Sequence, residues 1–168
     1  MKNHNWLSLF TLLVFTTSAS AFVVKNSWPG TKVGEPIPKV NIPRVLAKNL
    51  ANFDDLDFRV YTNQKWNELQ KSHAENIIVH YPDGSITQGL QAHIDKLKVS
   101  TSPDIQITEH PVRFGTNDGV WTAVIGFVSR KPKDGKPTGG QSSMVTLGHW
   151  NNKGVMDEEY LFSQQAKK

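Results

Sequence analysis

Residues 105–130 read IQITEHPVRFGTNDGVWTAVIGFVSR. Ile105–Phe114 and Val120–Arg130 are rich in β-branched and aromatic residues, and Thr116-Asn117-Asp118-Gly119 between them is a hairpin signal. In a strand, alternate side chains face opposite ways. Trp121, Ala123, Ile125 and Phe127 therefore share one face, and Val120, Val124 and Val128 the other. A strand apolar on both faces needs cover on both sides. One cover is a helical layer; the other is expected to be a second copy of the chain.

Downstream, Lys131–Gly140, with its glycines and prolines, reads as a loop. Ser142–Trp150 reads as the next strand, Asn151-Asn152-Lys153-Gly154 as a second hairpin turn, and Val155–Ser163 as the last strand. Upstream the period changes. Leu46, Leu50 and Phe53 fall four and three apart, and Phe53, Leu56, Val60, Trp66, Leu69 and His73 continue that face. Breaks at Asp54-Asp55 and Thr62-Asn63 offer caps, so two or three short helices are expected. Ile77-Ile78-Val79 and Ser85-Ile86-Thr87 form a short strand pair about the turn Pro82-Asp83-Gly84, and Leu90, Ile94 and Leu97 mark a further helix. Helices first and then a long meander give an α+β fold: a strongly bent antiparallel sheet, wrapped by amino-terminal helices around one pocket.

The ends read differently. Lys2, the apolar run Trp6–Phe15 and Ala19-Ser20-Ala21 have the layout of a secretory signal peptide over residues 1–21. Residues 22–43, punctuated by Pro29, Pro36, Pro38 and Pro43, read as an extended leader, and residues 44–168 as the domain. Export to the periplasm or the medium follows. Ala19-Ser20-Ala21-Phe22 also suits a bipartite plastid signal, which is the alternative. No membrane attachment is expected after cleavage. The net charge of +4 over 168 residues is thinly spread, which argues against nucleic acid as a partner. The absence of cysteine excludes disulfides and thiolate chemistry. Without an H-E-x-x-H or an i, i+4 histidine pair, no metal is expected, and no P-loop or dinucleotide fingerprint implies a cofactor.

Proton transfer in a pocket needs a group whose pKa can move toward neutrality and a donor for the developing oxyanion. Among the acids of the last strand, either Glu159 faces inward with Leu161 or Glu158 does with Tyr160 and Phe162. His149 stands on the neighbouring strand, within cross-strand reach of a carboxylate. Trp121 and Trp150 are candidates to line an apolar pocket, with core packing the alternative for at least one of them; His110 is a candidate for the pocket rim or for packing, and one of His80 and Tyr81 faces inward. His73 and His93 fall on helical faces and read as packing or exposed residues.

Specific motifs follow. His80-Tyr81-Pro82-Asp83-Gly84, Thr87-x-Gly89 and His93-Ile94 resemble the signature of SnoaL-like polyketide and ester cyclases, in the nuclear-transport-factor-2-like (NTF2-like) superfamily. Pro103-Asp104-Ile105, Glu109-His110-Pro111, Trp121-Thr122-Ala123-Val124, Gly148-His149-Trp150 and the run Gly154–Phe162 extend the resemblance, in order, from about Leu46 to Gln165. It implies an NTF2-like cone whose pocket takes a small hydrophobic carbonyl compound, and a cyclase or isomerase reaction that uses acid–base chemistry without a cofactor. By the same resemblance Glu159 is the inward acid, and Tyr81, before Pro82, holds the place of the isomerase base. Ser163-Gln164 stands where the family has Trp-Asp, so Gln164 takes the place of a proton-exchanging acid. A non-catalytic binding protein of the same fold is the alternative. An inward Glu159 in an apolar cone is expected to have its pKa raised by desolvation above ~4.3. If residues 1–21 direct export, the intact mass of the secreted protein will start at Phe22; a mass that retains residues 1–21 contradicts cleavage.

Overall fold

The computed structural model describes residues 28–32 and 42–164. The expected signal segment, most of the leader and Gln165 lie outside the described residues. Of the leader, Trp28–Lys32 forms strand β1. Helix α1 (Arg44–Asp54) runs directly into a π-helical turn (Asp55–Tyr61), and a 3-10 helix (Trp66–Lys71) follows. Then come β2 (His73–His80), β3 (Ile86–Gln88), α2 (Leu90–Ser100), β4 (Ile105–Gly115), β5 (Trp121–Lys133), β6 (Lys136–Trp150) and β7 (Met156–Gln164). The fold is α+β. Among the described residues the strands form one seven-stranded sheet in the order β1-β4-β5-β6-β7-β2-β3.

Neighbours in the sheet are antiparallel except β2 and β7, which run parallel. The exception follows from connectivity. After the β2–β3 pair, the chain crosses through α2 to start the meander away from β2. Three successive reversals then bring β7 back alongside β2. The expected loop 131–140 is instead sheet. β5 and β6 continue to Lys133 and Lys136, which pair with each other across Asp134-Gly135. Both turn residues have positive φ, 52° and 72°, the conformation that a two-residue hairpin requires and that Asp-Gly favours.

The expected break at Asp54-Asp55 is also absent. The backbone carries on from α1 and widens to π register, with the Thr62 amide donating to the Asp57 carbonyl and the Lys65 amide to Val60. Such widened turns are rare and are often found at functional sites. The helical face Phe53, Leu56, Val60, Trp66 and Leu69 packs on Ile77, Val79, Val124, Trp150 and Met156 of the concave sheet face. Phe53 and Trp150 meet edge to face at 6.1 Å. Asn49 donates to the Gly119 carbonyl at 2.9 Å and ties α1 to the β4–β5 hairpin.

Strand β4 breaks the rule of alternation. Ile107, His110 and Arg113 are all buried, at every third residue. Register shifts lie on both sides of Glu109, between Ile107 and Glu109 and between Glu109 and Val112. Each shift resets the strand's phase, and Pro111 between them has no N–H for the ladder. The result is that an imidazole and a guanidinium enter the core side by side, where strict alternation would have put one of them outside.

Candidate active site

The concave face encloses a cavity of about 600 Å³. It is lined by the helical segments, the start of β2, α2 and the middle of β6 and β7. Two clusters of titratable groups open into it.

The first cluster starts at Asp57. The face that carries Phe53 and Val60 also carries Asp57, at i+4 and i−3 from them, so the helix drives a carboxylate into the core. Its Oδ2 stands 2.9 Å from Nε2 of His110, and Nδ1 of the same ring stands 2.8 Å from Oδ1 of Asp54. The other oxygen of Asp54 accepts a hydrogen bond from Arg113. Phe58 covers the His110 ring at 4.4 Å, and Gly126 beside it leaves room for Met144, which a Cβ there would meet at 2.7 Å. His110 is fully buried behind the wall and meets the cavity only through Asp57.

Carboxylates face both ring nitrogens of His110, and a carboxylate can only accept. The ring is therefore satisfied as imidazolium, or as a neutral imidazole whose missing proton has moved onto Asp57. Burial works against the charged ring, but the two carboxylates outweigh it and hold its pKa above the ordinary 6.5. Burial likewise raises Asp57 above 3.8, and the hydrogen bond to His110 offsets this only in part. Both partners thus hold a proton more tightly than they do in water, and the hydrogen bond between them is a path along which it can move.

The second cluster is Glu159 with His73 and His93. Gly148 and Val79 flank Glu159 in register on the concave face. Nε2 of His73 stands 3.6 Å from a Glu159 oxygen, beyond hydrogen-bond length, and has no other partner among the described residues. His93, on α2, is buried, and its Nδ1 lies 2.7 Å from the Tyr81 hydroxyl, which reaches Thr87 at 3.2 Å. Burial depresses the His93 pKa to about 4, so its ring is neutral at neutral pH. The pKa of Glu159 departs from expectation. Burial pushes it up, but His73 and then His93 turn the balance, and it lies below its ordinary value. Burial also raises the two cavity tyrosines, Tyr61 and Tyr81, which keeps them protonated donors.

The structure brings Glu159 and Tyr81 together in the cavity and separates the other sequence candidates. His149 and Trp121 lie on the convex face, because both alternate out of phase with the inward Thr122 and Glu159. There His149 pairs with Asp157 at 2.5 Å and packs against Trp121 at 4.8 Å. Glu158 is on that face too, bonded to His80 and Tyr160. Trp150 is a core residue whose indole donates to Thr122 at 2.8 Å. Gln164 pairs through its backbone with Ser143, and its side chain lies outside the described residues. His73, expected on a helix, opens β2, and His93 turns inward rather than to solvent. Asp54, Asp57 and Arg113 were not candidates. The i, i+3 aspartates on an apolar helical face were the available signal for the first two. Nothing in a period-two reading marks Arg113.

No family model matches the chain, and no curated protein matches it in sequence. Solved structures do match it. A SnoaL-like polyketide cyclase from Jannaschia sp. CCS1 aligns over 74% of this chain and 91% of its own, with TM-score 0.57 and 16% identity. A polyketide cyclase from Xanthomonas campestris aligns over 71% and 93%, with TM-score 0.58 and 12% identity. A ketosteroid isomerase from Kribbella flavida aligns over 73% and 82%, with TM-score 0.54 and 14% identity. The chain has the NTF2-like fold.

The Asp57–His110 pair has a stability signature. Both groups bind a proton more tightly folded than unfolded, so stability is lost as pH rises: through the Asp57 range above pH 3.8, and through the His110 range above pH 6.5. His110→Gln will lower stability by about 3 kcal/mol through the broken network. It will also flatten the decline above pH 6.5. Urea unfolding midpoints across pH 5–9 check this (an experimental range of about four units); parallel curves for the two proteins would refute it.

Proposed function

We propose that this protein is an acid–base enzyme acting on a small hydrophobic carbonyl compound, by ring closure or double-bond isomerisation. The observation that carries the reading is Asp57: a buried carboxyl with a raised pKa, at the cavity wall, hydrogen-bonded to a histidine that is itself anchored by a second aspartate. Asp57 in its ionised form takes a proton from the carbon next to the substrate carbonyl. The electron pair moves onto the carbonyl oxygen, where Tyr61 or Tyr81 donates to the enolate. Asp57 then returns the proton at a new position, and His110 holds the charge balance through the exchange. No electron is gained or lost overall. The apolar part of the lining, with Leu56, Leu69, Ile107 and Leu161, suits a hydrophobic body, and about 600 Å³ suits a molecule of one to three rings.

Exchange of α-protons of a hydrophobic bicyclic ketone in deuterated water, followed by NMR, tests this. The wild type will accelerate exchange, and Asp57→Asn will lower the rate by about 100-fold or more while leaving ketone binding within a few-fold. Binding without exchange by the wild type would favour the alternative of a non-catalytic binding protein, for which the substitution of Gln164 for the family's acid is the supporting observation.

We also infer a homodimer through the convex sheet face. Phe114, Trp121 and Phe162 remain exposed there, with Val112 beside them. The register aligns Val112, Ile125, Val145 and Phe162 in one row across four strands. An apolar patch of this kind on a single chain marks an interaction surface. Sedimentation will give a dimer at micromolar concentration and a monomer for Trp121→Glu; a monomeric wild type overturns the inference.

A further inference from the structure

We propose that His73, His93 and Glu159 form a binding site for a divalent transition-metal ion of the zinc class, open to the cavity. One ligand atom from each lies within 4.8 Å of the other two, and all three residues are buried. Two imidazoles and one carboxylate are a known donor set for such ions.

The outer partners of the rings favour it. Nδ1 of His73 lies 2.8 Å from the Ser72 hydroxyl and 3.3 Å from the Leu69 carbonyl. The carbonyl can only accept, so with Nδ1 donating to it Nε2 is the ring atom left to face Glu159. It faces a Glu159 oxygen at 3.6 Å, beyond hydrogen-bond length. A buried carboxylate and ring nitrogen held face to face call for a positive charge between them, and a metal ion can take the place of the ring's proton there. The second histidine follows the same logic. Its Nδ1 is hydrogen-bonded to the Tyr81 hydroxyl at 2.7 Å, and Nε2 is left as the remaining ring nitrogen. Both histidines therefore have the outer partner that metal-ligating imidazoles almost always have.

Tetrahedral coordination at 2.0–2.1 Å places ligand atoms about 3.3 Å apart. Binding would draw the three groups together by roughly an ångström or more from their present spacing. Three protein ligands leave a coordination position, and all three residues line the cavity, so that position opens toward a bound molecule. Such an ion would polarise a carbonyl oxygen. The inference rests on the ligand geometry and is independent of the Asp57 reading.

The test is equilibrium dialysis and visible absorption of the untagged chain with Co²⁺, with Zn²⁺ as competitor. The wild type will bind one Co²⁺ per chain, with the intense visible bands of a four- or five-coordinate ion, and Zn²⁺ will displace it. Glu159→Gln and His93→Gln will each weaken binding by about 100-fold or more, and Tyr81→Phe by about 10-fold. Asp57→Asn will bind as the wild type does, so loss of proton transfer and loss of metal are read separately. Far-UV circular dichroism confirms that each variant is folded. Failure of the folded wild type to bind, or binding unchanged in both Glu159→Gln and His93→Gln, overturns the site.

Discussion

Four charged or chargeable side chains, Arg113, Asp54, His110 and Asp57, run in an unbroken chain through the core between the helical layer and the sheet. Burying any one of them alone would cost several kcal/mol. Together, with His110 protonated, they carry two positive and two negative charges, so the cost is met by mutual attraction. This constraint fixes much else. The π turn sets Asp54 and Asp57 around one ring, and the irregularities of β4 bring His110 and Arg113 to the same side. A change to one member leaves a buried charge without its partner.

The network also places function at the cavity wall. Only Asp57 faces the cavity; the other three members hold it and set its proton affinity. Across the same space, Glu159 faces two histidines that have no comparable anchor of opposite charge. The contrast divides the labour. One carboxyl is tuned upward, toward proton exchange, and the other downward, toward a permanent negative charge. Carboxyls pushed apart in this way within one pocket can take different roles.

The fold was largely legible in the sequence, because its signals are local. Period-two strands, Asn-Asp-Gly and Asn-Lys-Gly turns, and the 3–4 spacing of Leu46, Leu50 and Phe53 each report on a few neighbouring residues. The inward phase of Glu159 matched the resemblance. Most of what was missed depends on distant parts of the chain, with one local exception. Asp134-Gly135 was read as part of a loop, although Asp-Gly with positive φ at both residues makes a hairpin. His110 reads from sequence as a rim or packing residue, and alternation cannot decide between them because it does not anticipate two shifts of register in one strand. His73, His93 and Glu159 come from three separate elements and meet only when β7 returns beside β2. The Glu159 pKa ran opposite to expectation for the same reason: desolvation can be read from a strand pattern, but facing histidines cannot.

The coupled proton of Asp57 and His110 is the centre of this picture, and NMR titration of the Asp57 carboxyl carbon together with the His110 ring nitrogens measures it directly. If the pair shares a proton as the geometry requires, Asp57 will titrate above 3.8 and His110 above 6.5, and the His110 signals will move during the Asp57 step. Independent titrations at ordinary values, with no response of one group to the other, would contradict it.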